Sequence, residues 1–298
     1  MWKLSDWMLV RLLKSDATYS EKFKLLNQQM RWEVADHLRS ANLQKVNKLH
    51  KPVRANRNFY TTRGKRILDI AISASALVIF SPIIAAVSLV TYFDLGRPVF
   101  FSQDRIGLSG EKFVITKIRT MRDELDENGK PLLGELRVTR VGRLIRKASL
   151  DELLNFWSIL KGDMSVIGPR PLVPEYLDRF SFRHWQRLEV KPGLECPTLR
   201  ASEQALTYED QFENDCWYVE NCSFDTDLKL LWRIVETAFD RRQNQSRSES
   251  SRGSFMGYDE LGGVITTKNI PSWALDLVLS RHGMLHAEPH TRGNHGSK

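Results

Sequence analysis

Residues 67–93, ILDIAISASALVIFSPIIAAVSLVTYF, limit the possible folds more than any other stretch of the chain. Asp69 carries the only charge in it. A straight helix over this segment would be about 40 Å long, against a hydrocarbon core of about 30 Å. Length and composition therefore admit a transmembrane helix. Ser81 and Pro82 fall near the middle, where proline removes a backbone hydrogen bond and kinks a helix. Each arm, 68–80 and 82–93, would be about 18–20 Å long, too short to cross and long enough to reach mid-bilayer. A helix–break–helix that enters and leaves on one face fits these lengths, with the Ser81 hydroxyl a partner for a freed backbone group. A kinked helix that still spans fits them too.

The flanking charge bears on this choice. Arg63, Lys65 and Arg66 precede the segment, which predicts a cytoplasmic start. The following stretch is also basic, with Arg97, Arg105, Lys112, Lys117, Arg119 and Arg122. A single crossing would export all of it; a re-entrant segment keeps it in the cytoplasm. The segment is too long and too far from the start to be a cleaved signal peptide.

Nine basic residues and no acidic one lie between Arg39 and Arg66. With Trp2, Trp7 and Trp32, they predict an amphipathic arm, residues 1–62, lying against anionic lipid headgroups. Net charge +8 and a pI of about 9.4 also suit nucleic acid, but the charge adjoins the apolar segment and no nucleic-acid motif occurs. Mean hydropathy is −0.36, which implies a largely soluble chain with one membrane element. Cys196, Cys216 and Cys222 match no zinc spacing and read as free thiols.

Residues 143–171, RLIRKASLDELLNFWSILKGDMSVIGPRP, concentrate the candidate chemistry. Asp151 and Glu152 sit at the start of a predicted helix, just after Arg143, Arg146 and Lys147. Ser149 and Glu152 also fit a capping box, and Asp and Glu suit a first helical turn whatever their use. Leu150, Leu153, Leu154, Trp157 and Leu160 are spaced as one apolar helix face, and Gly162 as its stop. After a short strand at Val166–Ile167, Gly168-Pro169-Arg170-Pro171 is stiff and non-helical. An arginine held on such a backbone suits bidentate phosphate binding; a turn with a solvated arginine explains it equally well.

Pro98–Gln103 and Glu111–Ile118 predict a strand pair joined through Ser109-Gly110. Alternation puts Lys117 and Arg119 on one strand face, where they add to a phosphate site or are simply solvated. Residues 122–139 read as a loop, Pro192-Gly193 as a turn, 225–243 as a helix and 244–254 as a linker. The tail beyond is uninformative apart from a short amphipathic stretch at 271–285. The predicted class is α+β: a mostly helical cytoplasmic domain, 98–243, with a short strand pair. A re-entrant segment, 63–97, anchors it, and residues 244–298 form linker and tail.

In order along the chain stand KRILDI, the Ser81-Pro82 break, PVFFSQDRIG, KFVITKIRTM, TRVGRLIRKASLDEL, LKGDMSVIGPRP and KPG. Seven such motifs in this order resemble the monotopic phosphoglycosyl transferases, a bacterial sugar-transferase family, from about Arg63 to Phe239. Their joint occurrence outweighs the capping and turn readings. The resemblance implies transfer of a phosphosugar from a nucleoside diphosphate sugar, expected to be a UDP-sugar, to polyprenyl phosphate at the cytoplasmic membrane face. Asp151 matches the family's nucleophile and would form a covalent phosphosugar intermediate with Mg²⁺ at Asp151. Glu152 matches the second acid, Arg170 the phosphate-binding arginine, Arg146 the arginine before the nucleophile, and Ser81 and Pro82 the re-entrant break. The chain departs from the family at Leu154-Asn155, where Pro-Gln is usual, and at residues 194–199, LECPTL. A catalytically silent membrane scaffold for glycan-assembly enzymes is the competing expectation.

Overall fold

A computed structural model describes residues 18–125, 134–197, 207–239 and 252–284. Trp2, Trp7, part of the 122–139 loop, the linker to residue 251, Thr198, Leu199 and the tail from residue 285 lie outside the described residues. The helices are α1 (Tyr19–Leu25), α2 (Gln28–Leu49), α3 (Lys65–Leu95), α4 (Arg140–Lys147), α5 (Asn155–Lys161), α6 (Tyr208–Asn221), α7 (Phe224–Phe239) and α8 (Ser272–Arg281). The strands are β1 (Phe100–Ile106), β2 (Lys112–Ile118), β3 (Ser165–Ile167), β4 (Gly193–Glu195), β5 (Phe255–Tyr258) and β6 (Val264–Thr266). They pair as β1–β2 antiparallel, β3–β4 parallel and β5–β6 antiparallel. The mostly helical α+β class therefore stands, with three strand pairs among the described residues where the sequence predicted one.

The chain divides into two units, His50–Ser248 and Met1–Leu49 with Glu249–Lys298. In the second, Met30, Val34, Ala35 and Leu38 of α2 pack with Met256, Ile265, Leu275, Val278 and Leu279. The Asn42 side-chain amide donates to the Tyr258 carbonyl at 2.8 Å. Segments expected as a separate arm and tail thus share one core. Apolar burial drives the pairing, because each helix alone would leave its apolar face in water.

In the larger unit, β1 and β2 form a hairpin in register from Phe100↔Ile118 to Ile106↔Lys112. Its turn, Leu108–Gly110, places Ser109 and Gly110 at φ 55° and 84°. The core under it joins Ile115, Ile159, Met164, Val166, Ile167, Tyr218 and Leu230. The cysteines are free and buried.

The apolar segment lies within the single helical element α3, continuous through Pro82. The expected break is therefore not an interruption of the helix. Pro82 leaves the Val78 carbonyl without its usual amide, and the Ser81 hydroxyl donates to that carbonyl at 2.9 Å. Most of α3 faces outward: Val78 is 75% exposed and Phe93 77%. Its polar residues dock it. Arg66 donates to the Ile159 and Leu160 carbonyls at 2.6 and 2.7 Å, covering the C-terminus of α5. Asp69 is buried and accepts from the Ser165 hydroxyl and the Val166 amide, each at 2.9 Å. Midway along, Phe80 stacks on Phe156 with ring centroids 6.2 Å apart. At the far end, Thr139 donates to Asp94 at 2.6 Å, and the Arg119 guanidinium donates to the Leu95 and Gly96 carbonyls. Both ends of the apolar helix are thus fastened to the same unit.

Candidate active site

The site gathers where three backbone segments meet. The first is the end of β2, which carries Lys117. The second is a single 3-10 turn, Leu150–Glu152, between α4 and α5. The third is the loop Gly168–Pro171, which leaves β3. Gly168 and Gly193 set the position of this loop. Their backbones approach so closely that a Cβ on Gly193 would sit 2.2 Å from the Gly168 nitrogen. The Gly193 amide donates to the Pro169 carbonyl at 3.0 Å. The glycines of the GPRP and KPG motifs are therefore one steric device.

The capping-box reading of Ser149 and Glu152 does not hold. Ser149 adopts φ 55°, in the left-handed region, and its side chain caps nothing. Glu152 turns away instead. Its Oε1 accepts from Lys117 Nζ at 2.6 Å and from an Arg170 Nη at 3.0 Å. The carboxylates thus precede α5 on a tighter turn, rather than opening one long amphipathic helix. That turn also changes the helical phase, because a 3-10 turn advances about 120° per residue against about 100° in an α-helix. Asn155, Ser158 and Ile159 face inward, and Trp157, expected on the core face, is 54% exposed.

The two acids differ in their electrostatics. Burial raises the pKa of Glu152, but Arg170 and Lys117 outweigh burial and hold it at about 2. Burial, reinforced by the charge on Glu152, raises Asp151 above the ordinary aspartate range, with Lys117 and Arg146 opposing. Glu152 is thus a fixed anion locked between two cations. Asp151, by contrast, makes no ion pair within 4.0 Å among the described residues.

The remaining candidates are divided in space. Lys117 and Arg170 meet on Glu152. Arg146 is close enough to act on Asp151, and its Nε donates to the Thr120 hydroxyl at 2.7 Å. Arg119 is not on Glu152: it caps the end of α3 and lies 3.3 Å from Asp123. β2 ends at Ile118, so the two-residue alternation expected to keep Arg119 on the face of Lys117 does not reach it. Ser81 and Pro82 lie in α3, and the Ser81 hydroxyl bonds to the Val78 carbonyl.

Two further residues, outside the expected site set, reach Arg170. Glu195, in the divergent 194–199 stretch, approaches an Arg170 Nη at 4.0 Å. Arg187 donates to the Arg170 carbonyl at 2.9 Å. The departure at 194–199 was a signal for the first. Arg187 lies in FRHWQRLE, which mixes apolar and charged residues without a motif.

A family model described as bacterial sugar transferase matches residues 60–241. An uncharacterized sugar transferase, EpsL, of Bacillus subtilis is 44% identical over 171 residues, 57% of this chain and 85% of the relative. The UDP-glucose:undecaprenyl-phosphate glucose-1-phosphate transferase of Caulobacter vibrioides is 35% identical over 181 residues, 57% of this chain and 68% of the relative. The UDP-N-acetylgalactosamine-undecaprenyl-phosphate N-acetylgalactosaminephosphotransferase of Aeromonas hydrophila is 34% identical over 181 residues, 58% of this chain. The match spans 43% of that relative's length.

Proposed function

The chain belongs to the bacterial sugar transferase family, and we propose that it moves a phosphosugar from a UDP-sugar to polyprenyl phosphate, the first step of assembling a glycan on a lipid carrier. The relatives named for this type of reaction support the substrate classes. The observation that carries the reading is the unequal pair: Glu152 clamped by Lys117 and Arg170 beside an unclamped Asp151.

The unclamped carboxylate is the better nucleophile, since an anion stabilised by two short ion pairs is the less basic of the two. An Asp151 oxygen attacks the sugar-bearing phosphorus. The bond from that phosphorus to the bridging oxygen breaks, and uridine monophosphate leaves. A phosphate oxygen of the polyprenyl carrier then attacks the same phosphorus, freeing Asp151 and giving polyprenyl diphosphate sugar. Two displacements on one carboxylate replace a direct transfer between two anions. Arg170 and Lys117 orient the diphosphate and offset its charge, and Arg146 favours the ionised Asp151.

Mg²⁺ fits this donor set. It binds through one or two carboxylates plus substrate phosphates rather than through a dedicated cage of protein ligands. Asp151 would hold it, and the ion would supply further charge neutralisation on the diphosphate.

The lipid acceptor lies in the bilayer and the nucleotide sugar in the cytosol, so the site belongs at the cytoplasmic interface of the inner membrane. Support for a re-entrant rather than spanning α3 comes from its fastenings, Arg66 and Asp69 at one end, Asp94 at the other, all to the unit that holds the site. The outward Trp157 beside this helix suits an interfacial position.

The test is uridine monophosphate release by membrane-extracted protein given Mg²⁺, polyprenyl phosphate and a panel of UDP-sugars. Release with one donor, abolished in Asp151→Asn along with the covalent adduct, is expected. Substantial turnover in Asp151→Asn would overturn the nucleophile assignment. No release with any donor from folded protein would favour the scaffold reading.

A further inference from the structure

Arg187 and Asp215 form an ion pair, each side chain only 1% exposed. Arg187 Nε and an Nη reach the same Asp215 oxygen, at 2.9 and 2.6 Å. The guanidinium carbon lies 5.7 Å from the Phe180 ring centroid and 5.5 Å from that of Phe212. Burial of this kind is costly, and an apolar pair of similar volume is often as stable. A purely structural account therefore explains poorly why an ion pair stands there.

The Nη that touches Asp215 has a second acceptor, the main-chain carbonyl of Arg170, at 2.9 Å. That residue sits between two prolines, neither of which has an amide to anchor the loop. The flanking main-chain bonds, Gly193 N–H to the Pro169 carbonyl, Gly168 N–H to the Glu195 carbonyl at 3.2 Å and Ile106 N–H to the Leu172 carbonyl at 2.9 Å, hold the loop on either side of Arg170. Arg170 is 43% exposed at its side chain, whose guanidinium meets Glu152, so the Arg187 contact acts on its main chain.

We propose that Arg187, held by Asp215, is a positioning residue that fixes the backbone of Arg170 and so places its guanidinium for the donor diphosphate. This rests on the transferase reading for its consequence in catalysis. The buried pair earns its place by geometry rather than by stability. Asp215 orients Arg187, the two phenylalanines hold the guanidinium in place, and the free edge of the Nη grips the loop. Lysine would not replace it, because one ammonium on a flexible stem lacks the planar fork that serves both acceptors.

The test compares Arg187→Met with Asp215→Leu, made together, and Arg187→Lys alone. Three quantities are measured on full-length protein: melting temperature, kinetics with donor and with lipid acceptor varied separately, and amide exchange of the peptide covering 164–173. The double variant should melt near wild type, lose roughly 10- to 100-fold in kcat/KM for the donor, and keep its KM for polyprenyl phosphate, because a misplacement of about 1 Å costs about that much. Exchange over 164–173 should quicken while the β1–β2 peptides stay protected. Should the double variant fail to fold, Arg187→Lys must show the same donor loss and the same quickened exchange. Wild-type donor kinetics and unchanged exchange in a folded variant would overturn the proposal. If the unaltered protein turned over no donor, the transferase reading would fail separately, and exchange alone would decide whether Arg187 holds the loop.

Discussion

Asp69 accepts a hydrogen bond from the main-chain amide of Val166 at 2.9 Å, so the only charge in the apolar segment is also its attachment to the strand that leads into the Arg170 loop. The same oxygen accepts from the Ser165 hydroxyl. The apolar helix and the strand leading to the Arg170 loop are therefore joined through one buried carboxylate. Asp69→Leu would leave both donors buried without a partner, at about 1–3 kcal/mol each. Two such donors together cost about 2–6 kcal/mol, so a fall in melting temperature of roughly 4–24 °C in detergent is expected for a unit of this size. Asp69→Asn keeps a carbonyl oxygen and should lose far less. Equal melting of the Leu variant and wild type would show that the bond is not structural.

The Ser81 hydroxyl and Val78 carbonyl make a second testable pair. Proline removes the amide that Val78 would otherwise use, and in lipid no water replaces it. Pro82→Ala restores that amide and should let the helix straighten towards a span. A cysteine introduced at the exposed Glu111 reports the side, since the native cysteines are buried. In intact cells it should resist an impermeant thiol reagent in wild type and label in part in Pro82→Ala. Labelling that never changes would remove proline from the account of topology.

Much of the site can be read from sequence where the signal is local. Two prolines flank Arg170, alternation orients Lys117, and an apolar run marks β3. The failures are equally specific. Ser149 and Glu152 have capping-box spacing, but the left-handed Ser149 and the cations across the fold redirect Glu152. Trp157 falls on the predicted core face, yet the 3-10 turn before it rotates that face outward. The shared core of Leu38 and Leu275 joins residues more than 200 positions apart. Each stretch shows only that it needs a partner, not which one. Arg187 gives no sign in sequence, because burial of an arginine depends on Asp215 arriving from another helix.

The electrostatics of the acid pair predict opposite pH shifts. The proposed mechanism has Asp151 attack as the carboxylate, so it predicts activity that rises with pH through a pKa above the ordinary aspartate range. Glu152, at about 2, stays ionised throughout that rise. Glu152→Gln removes a neighbouring anion that raises Asp151, so the acid limb should move to lower pH even as the maximum rate drops. Lys117→Gln removes a cation that lowers Asp151, so the limb should move to higher pH. Limbs that shift in the same direction would assign the titration to another group.

Glu195 offers a test of what the divergent 194–199 stretch does. Its carboxylate lies 4.0 Å from an Arg170 Nη, so Arg170 faces Glu152 on one side and Glu195 on the other. In the proposed reaction a donor diphosphate competes with both for the same guanidinium. Glu152 is locked by Lys117 as well, whereas the Glu195 contact is longer and partly exposed, so it is the weaker hold. Glu195→Gln keeps the shape and removes the charge. Its donor KM should fall by up to about fivefold, the size of an exposed ion pair of ~1 kcal/mol, with little change in kcat. The difference should shrink as salt is raised, because screening weakens the lost repulsion. A higher donor KM in Glu195→Gln would instead mean that the carboxylate contacts the sugar and contributes to its selection.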